Sequence, residues 1–219
     1  MASVVTLIDG FNLYHALDIE RGSLTPYRCF KWINYWKLAE CFAGSGAVLE
    51  RVILFTAYLP DVEPWQKEKN ARHATLIAAN KAQGVEVVLG RFLERRVEFD
   101  VRPSKLRLSI PRLEEKRTDV NIALALAGLA YDRAYDRAVL VTADSDLIPA
   151  IDEARKRHPA GEILVVPPIE RHGMAKALAN AAGQQKTMRT EHLQSSRFPD
   201  TVTVDSNSGR TVACPPEWK

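Results

Sequence analysis

Four aspartates and one asparagine lie in three short stretches whose residue types suit metal-ion chemistry. The stretches are Asp9-Gly10-Phe11-Asn12, Thr118-Asp119-Val120-Asn121 and Thr142-Ala143-Asp144-Ser145-Asp146. Carboxylate oxygens are ligands that Mg²⁺ and Mn²⁺ prefer, and one or two of them commonly hold the ion against a phosphate. We therefore predict a site in which Asp9, Asp119, Asp144 and Asp146 bind Mg²⁺ or Mn²⁺, with Asn12 orienting a ligand, a water or a phosphate.

Apolar runs and helical patterns predict how these stretches are positioned. The runs Val4–Ile8 and Ala138–Thr142 lead into the first and third stretches and have the continuous apolar character of buried parallel strands. Further strands are predicted at Arg51–Tyr58, Val85–Leu89 and Glu162–Val166, and helices at Trp65–Gln83, Thr118–Tyr131 with Thr118 as N-cap, and Leu147–Arg157. This alternation indicates βαβ units and an α/β fold with a parallel sheet. Ligands of such sheets bind beyond the carboxyl ends of the strands, where the aspartates lie.

Carboxylates that converge in this way repel one another and raise one another's pKa unless a cation neutralises them. A bound metal ion activates water and stabilises charge on a phosphodiester, so no catalytic histidine or serine is necessary. Taken singly, each stretch also has a structural interpretation. Asp9-Gly10 is compatible with a simple turn, Asp119 with a helix-dipole interaction and Asp144 with an N-cap. Their joint placement at strand ends and a helix start favours the metal site.

Composition predicts an ordinary globular protein. The 219 residues are 46% hydrophobic and 26% charged, enough for one domain or one domain with an appendage. The absence of a long apolar run and of an export signal predicts a cytoplasmic protein without a membrane span. Cys29, Cys41 and Cys214 are odd in number and far apart, which fits neither a disulfide framework nor a Cys-x-x-Cys zinc site. The formal charge of +3 permits a polyanionic partner, and the sequence allows homo-oligomers.

A basic segment precedes the second stretch. Phe92–Val101 and Lys105–Ile110 alternate apolar and polar residues across Arg102-Pro103-Ser104, which predicts a β-hairpin inserted at about residues 91–112. Nine basic and five acidic side chains lie between positions 91 and 117. Because arginine binds phosphate well, we predict RNA contacts here. The predicted RNA-binding residues are Arg95, Arg96, Arg107, Lys116 and Arg117. The alternative interpretation is a solvated hairpin of mixed charge.

The three stretches, with Leu7-Ile8 before the first and Leu147-Ile148-Pro149 after the third, resemble the motifs of the NYN family of PIN-like nucleases. The resemblance covers about residues 1–190 and leaves residues 191–219 as a C-terminal arm or short hairpin. It implies a three-layer α/β/α sandwich around a central parallel sheet and metal-dependent RNA cleavage. Some relatives carry a cysteine-rich zinc insertion before the second motif, and this chain has no cysteine there, so their substrate recognition does not transfer.

Two other functions remain open at this point. Some similar proteins are labelled NADH-dependent aromatic (pyridine) hydroxylases, but the sequence contains no Gly-x-Gly-x-x-Gly after a strand and no closely spaced iron-binding triad. A non-catalytic module that binds RNA or a protein partner is the third interpretation. Metal-dependent turnover separates it from the ribonuclease.

Overall fold

The computed structural model describes residues 1–20, 26–101 and 106–219. Within these residues the strands are β1 (Ser3–Asp9), β2 (Val48–Thr56), β3 (Glu86–Leu89), β4 (Arg91–Val101), β5 (Leu106–Lys116), β6 (Arg137–Val141), β7 (Glu162–Val165), β8 (Gly183–Gln185), β9 (Thr201–Asp205) and β10 (Arg210–Ala213). The α-helices are α1 (Gly10–Leu17), α2 (Tyr35–Ala43), α3 (Pro64–Lys81), α4 (Thr118–Tyr131), α5 (Ile148–Arg157), α6 (Lys176–Ala182) and α7 (Thr190–Ser195). No helix among them is both long and apolar enough to cross a membrane.

Six parallel strands form the central sheet, in the order β3-β2-β1-β6-β7-β8. Strand β1 lies between β2, which follows it in the chain, and β6, which follows only after the β4–β5 hairpin and α4. The strand order therefore reverses between β1 and β6. Their carboxyl ends border the crevice in which open α/β sheets bind ligands.

Helices cover both faces of the sheet, which confirms the predicted three-layer α/β/α sandwich. Alternation along β1 sends Val4 and Ile8 into one core cluster with α1, α2 and α3. Val5 and Leu7 pack in a second cluster with α4, α5 and α6. Asp9 has the same parity as Val5 and Leu7, so it lies on the face that α4 covers.

The predicted strands and long helices are present with small shifts in their bounds. The short helices α1, α2, α6 and α7 and the three-residue strand β8 were not predicted. Each is short, and β8 consists of Gly183-Gln184-Gln185, which has no apolar run. Trp32 and Tyr35 are buried in the first core cluster, and Trp36 packs against it.

The β4–β5 hairpin confirms the predicted insertion and extends it to Lys116. The predicted turn Arg102-Pro103-Ser104 and Lys105 lie outside the described residues. At the C-terminus, β9 and β10 form the short antiparallel hairpin. Leu193, Phe198 and Trp218 pack into the first core cluster. The division into a domain of residues 1–190 and an arm of residues 191–219 stays a prediction.

Candidate active site

Asp9 ends β1 and is the N-cap of α1, and only 4% of its surface is exposed. Its Oδ1 accepts a hydrogen bond from the Asn12 backbone N–H (2.9 Å) and its Oδ2 accepts one from the Thr142 hydroxyl (2.9 Å). Glycine is required next because β2 passes close by: a Cβ on Gly10 would lie 2.7 Å from the carbonyl oxygen of Phe55. Asp9-Gly10 therefore forms the turn that was its structural interpretation. This turn also fixes a carboxylate at the end of an inner strand.

A hydrogen-bond network joins the first and third stretches. The Thr142 hydroxyl donates to Asp9 and accepts from the backbone N–H of Asp144 (3.1 Å). Asn12 Oδ1 accepts from the backbone N–H of Ala143 (3.2 Å). Asn12 therefore holds the start of α1 against the loop after β6. Thr142 bridges two of the predicted metal ligands, a role that sequence reasoning missed.

Asp144 has the capping role that was the structural alternative for it. Its Oδ1 accepts from the backbone N–H of Asp146 (3.0 Å) at the start of the short 3₁₀ helix Ser145–Leu147. A carboxylate has further lone pairs after one such bond, so capping and ion binding are compatible. Asp144 is half-buried and Asp146 is exposed.

In the second stretch, Asp119 lies in the first turn of α4. Just before this stretch, Glu115 near the end of β5 adds a further carboxylate. Glu115 Oε1 accepts from the Thr118 backbone N–H (3.1 Å) and from the Thr118 hydroxyl. Thr118 is consequently the first helical residue and not the predicted N-cap. The N-cap position is Arg117, whose φ of 83° is left-handed. Such a conformation costs a non-glycine residue about 1–2 kcal/mol, and the Glu115 contacts help to hold it.

We call Asp9, Glu115, Asp119, Asp144 and Asp146 the carboxylate cluster. Burial raises the pKa of Asp9; its two hydrogen bonds lower this pKa, and the charges of Asp144 and Glu115 raise it. Burial and then the charges of the other four members raise the pKa of Asp119 to about 6. The carboxylates of the cluster are therefore close enough to raise one another's pKa. Sequence reasoning missed Glu115, although an acidic residue just before a helix is a recognisable capping signal.

The donor set fits a hard divalent cation. All its oxygens are carboxylate oxygens, and none of the five forms an ion pair with a described Lys, Arg or His. Among residues 1–20, 26–101 and 106–219, however, no three His, Cys, Asp or Glu side chains are arranged to hold one ion directly. Mg²⁺ usually keeps several waters and needs only one or two carboxylates. The cluster thus suits an ion held partly through water.

Comparisons with known proteins agree with the fold and the motifs. The family model for the NYN domain matches residues 3–188. The chain belongs to the NYN domain family. NYN domains are PIN-like and are generally nucleases. A solved structure of a protein of unknown function from Vibrio parahaemolyticus is similar, with a TM-score of 0.52 and 16% identity over 86% of this chain and 93% of that one. This likeness shows a shared fold. No curated protein matches the chain.

In this NYN domain the predicted RNA-binding arginines lie on two faces of the β4–β5 hairpin. Phe92 pairs with Glu115 at its base. Because side chains alternate along a strand, Arg96 on β4 and Arg107 on β5 have the parity of this pair and share the face of the carboxylate cluster. Arg95 has the opposite parity, so it lies on the other face.

Lys116 and Arg117 lie at the base of the hairpin. The Lys116 ammonium is 3.0 Å from the Glu114 carboxylate, and both Lys116 and Arg117 are exposed. Lys116 pairs with Arg91 and shares the face of Arg95. Contact of these residues with RNA stays a prediction.

A pocket of about 340 Å³ begins at Gly10, the residue after Asp9, although none of the five carboxylates lines it. Its aromatic lining residues are Phe11, Tyr14, Tyr35, Trp65, Phe92 and Trp218, and we call it the aromatic pocket. Phe11 follows Asp9 by two residues, and Phe92 is the partner of Glu115 in the hairpin register. The rings of Phe11 and Phe92 meet edge to face, with centroids 5.3 Å apart. The pocket and the cluster are therefore neighbours.

A neutral histidine belongs to the same pocket. His73 Nε2 lies 2.8 Å from the Thr56 hydroxyl, and burial lowers the pKa of His73 to about 4. Its imidazole is uncharged at neutral pH and is one of the polar groups in the lining of the aromatic pocket. Sequence reasoning did not find this pocket, because its lining comes from segments far apart in the chain.

Proposed function

We propose that this NYN domain is a metal-dependent ribonuclease that hydrolyses RNA phosphodiester bonds. The convergence of five carboxylates, unpaired with any described cationic side chain, at the crevice between β1 and β6 carries the proposal. Membership in a family of PIN-like nucleases supports it. When bound, Mg²⁺ or Mn²⁺ would activate water and stabilise charge on the phosphate.

The role of each residue in ion binding would follow from how deeply its side chain is buried. Asp9 is buried and its two oxygens are oriented by Asn12 and Thr142, so it would be the rigid ligand of the ion. Asp119, Asp144 and Asp146 are more exposed and would hold the ion from the solvent side, directly or through water. Asn12 would position these groups by fixing the loop after β6.

Glu115 would act as a positioning residue. Its contacts with Thr118 set the start of α4 and hence the place of Asp119. Its charge also raises the pKa of both Asp9 and Asp119, which strengthens the requirement of the cluster for a cation.

The test is cleavage by purified protein of a single-stranded RNA and of DNA with the same sequence, in Mg²⁺, in Mn²⁺ and in EDTA. We expect RNA cleavage with either metal and none in EDTA. Asp119→Asn and Asp132→Asn form a matched pair at the two ends of α4, about 20 Å apart. The first should lower the single-turnover rate at least about 100-fold, and the second should leave it unchanged. Equal rates for the two variants, or cleavage in EDTA, would contradict the proposal.

The aromatic pocket favours one second candidate, the NADH-dependent aromatic hydroxylase. NADH oxidation that depends on a pyridine substrate, together with a redox cofactor in natively purified protein, would support that function. RNA binding without turnover would instead support a non-catalytic module. Cytoplasmic location and homo-oligomerisation stay predictions.

A further inference from the structure

We infer that the aromatic pocket takes one unpaired nucleobase of the RNA, next to the phosphate at the carboxylate cluster. This inference rests on the proposed function and names its substrate class, single-stranded RNA. The pocket volume of about 340 Å³ is at the lower end of ligand sites, which suits one small planar group and not a base pair.

The rings of the pocket provide the surface on which a base binds. Trp65 is 46% exposed at the mouth, although a tryptophan in a helix normally buries its ring. Trp218 is 4% exposed and closes the pocket from the C-terminal segment. Single-stranded nucleic acids bind largely by stacking bases on such aromatic faces, which tolerates any base.

Hydroxyl groups inside the pocket have unused hydrogen-bonding capacity. Tyr35 is 5% exposed, yet its hydroxyl makes no hydrogen bond with any described residue. The hydroxyl of Tyr14, also in the lining, has no described partner either. Each hydroxyl can both donate and accept a hydrogen bond, so the polar edge of a nucleobase could pair with either one.

One cation in the lining matches the charge of the RNA backbone. The Lys69 ammonium lies 5.2 Å from the centroid of the Trp65 ring and has no ion-pair partner among the described residues. The Arg72 guanidinium, by contrast, is 2.8 Å from the Glu217 carboxylate, which balances its charge. Phosphates on either side of the bound base would therefore meet an acidic site that requires a metal ion and the ammonium of Lys69. A small neutral aromatic compound would use the rings and leave the Lys69 charge without a role.

Binding can be measured without cleavage. We would titrate the protein in EDTA into the 5′-monophosphate of 2-aminopurine riboside, a fluorescent nucleotide whose emission falls when its base stacks. We expect saturable quenching that AMP and CMP reverse and ribose 5-phosphate does not. Absence of quenching, or equal competition by ribose 5-phosphate, would overturn the inference. Stronger competition by a pyridine carboxylate than by AMP would also overturn it and favour the hydroxylase.

Variants locate the binding. Trp65→Leu should weaken the nucleotide about 5- to 150-fold, from the usual stacking energy per base. Tyr35→Phe keeps the buried ring and should weaken it about 2- to 10-fold. Tyr131→Leu is the control, because this exposed aromatic residue ends α4 outside the pocket. Equal affinities of Trp65→Leu and Tyr131→Leu would refute the assignment.

The proposed ribonuclease activity and the proposed nucleobase pocket can be contradicted separately. Nucleotide binding in EDTA without RNA cleavage in Mg²⁺ or Mn²⁺ would remove the proposed function and keep a nucleobase pocket. Cleavage by a protein that binds no nucleotide would keep the ribonuclease and remove the pocket.

Discussion

The carboxylate cluster and the β4–β5 hairpin are built in opposite ways. Asp9 and Thr142 are 133 positions apart in the chain and meet in a 2.9 Å hydrogen bond, in a buried setting. The charges of the hairpin pair locally and in solvent, as Arg107 and Glu98 do at 3.4 Å. Burial makes the cluster sensitive to each oxygen, whereas solvent screening leaves the hairpin mainly its net charge. Substitutions in the cluster should therefore change the cleavage rate, and substitutions in the hairpin should change the electrostatic attraction of RNA.

The largest effect should come from Asp9→Asn and Asp144→Asn. Each should lower single-turnover cleavage at least about 100-fold, because a metal ligand is lost. The melting temperature in EDTA should stay the same or rise, because repulsion among the carboxylates falls. Arg95→Ser in the hairpin is the contrasting variant and should keep its rate at saturating RNA. Full activity in both aspartate variants would remove the site assignment.

Gly10→Ala should break the placement of the cluster without touching a charge. The added Cβ would lie 2.7 Å from the carbonyl oxygen of Phe55, and such overpacking costs about 1–3 kcal/mol of unfolding free energy. Gly128→Ala in α4 is the matched control, since nothing lies within 4 Å of its Cβ, and it should stabilise by about 0.5–1 kcal/mol. Urea unfolding measures both changes. Equal stability of the two variants would show that the turn tolerates a side chain.

Paired arginine variants should show which face of the hairpin meets RNA. Changing Arg96 and Arg107 to Ser should flatten the dependence of log affinity on log salt by about 1.4–1.8 units, at 0.7–0.9 per lost phosphate contact. Changing Arg95 and Arg112, which pair on the opposite face, should change the slope much less. Binding titrations in EDTA at several salt concentrations measure the slopes. Equal slopes for both double variants would support the solvated hairpin of mixed charge.

The smallest expected effect is the pH dependence of the metal-free protein. The pKa of Asp119 is about 6 in the folded chain and about 3.9 in an unfolded one. The folded state then binds the proton of Asp119 more tightly than the unfolded state does. Proton binding therefore stabilises the fold fully below about pH 4, and this contribution is lost as pH rises through about 6. Because Asp119 is half-exposed, we expect only about 1 kcal/mol. The loss of unfolding free energy from pH 5 to 7 in EDTA should be smaller for Asp119→Asn. An identical loss in both proteins would mean that the pKa of Asp119 is not raised in the folded state.

Local periodicity was sufficient to predict the strands, the long helices, the hairpin and the order of the three motifs. The apolar run that becomes β1 and the alternation that becomes β4 and β5 are properties of consecutive residues. The choice of Asp9, Asn12, Asp119 and Asp144 as candidates needed only their positions beside such elements. The extension of β5 to Lys116 and the short β8 carried no comparable signal.

The sequence by itself determined the class of fold and which aspartates are candidates for binding a cation. Only the tertiary structure decided that Thr142 joins Asp9 to Asp144, that Glu115 belongs to the carboxylate cluster, and that aromatic residues from distant segments form a pocket beside the cluster. The physical reason is that hydrogen bonds, burial and charge repulsion depend on distances between atoms. Those distances are set by strand order and crossovers, which bring residues more than 100 positions apart into contact.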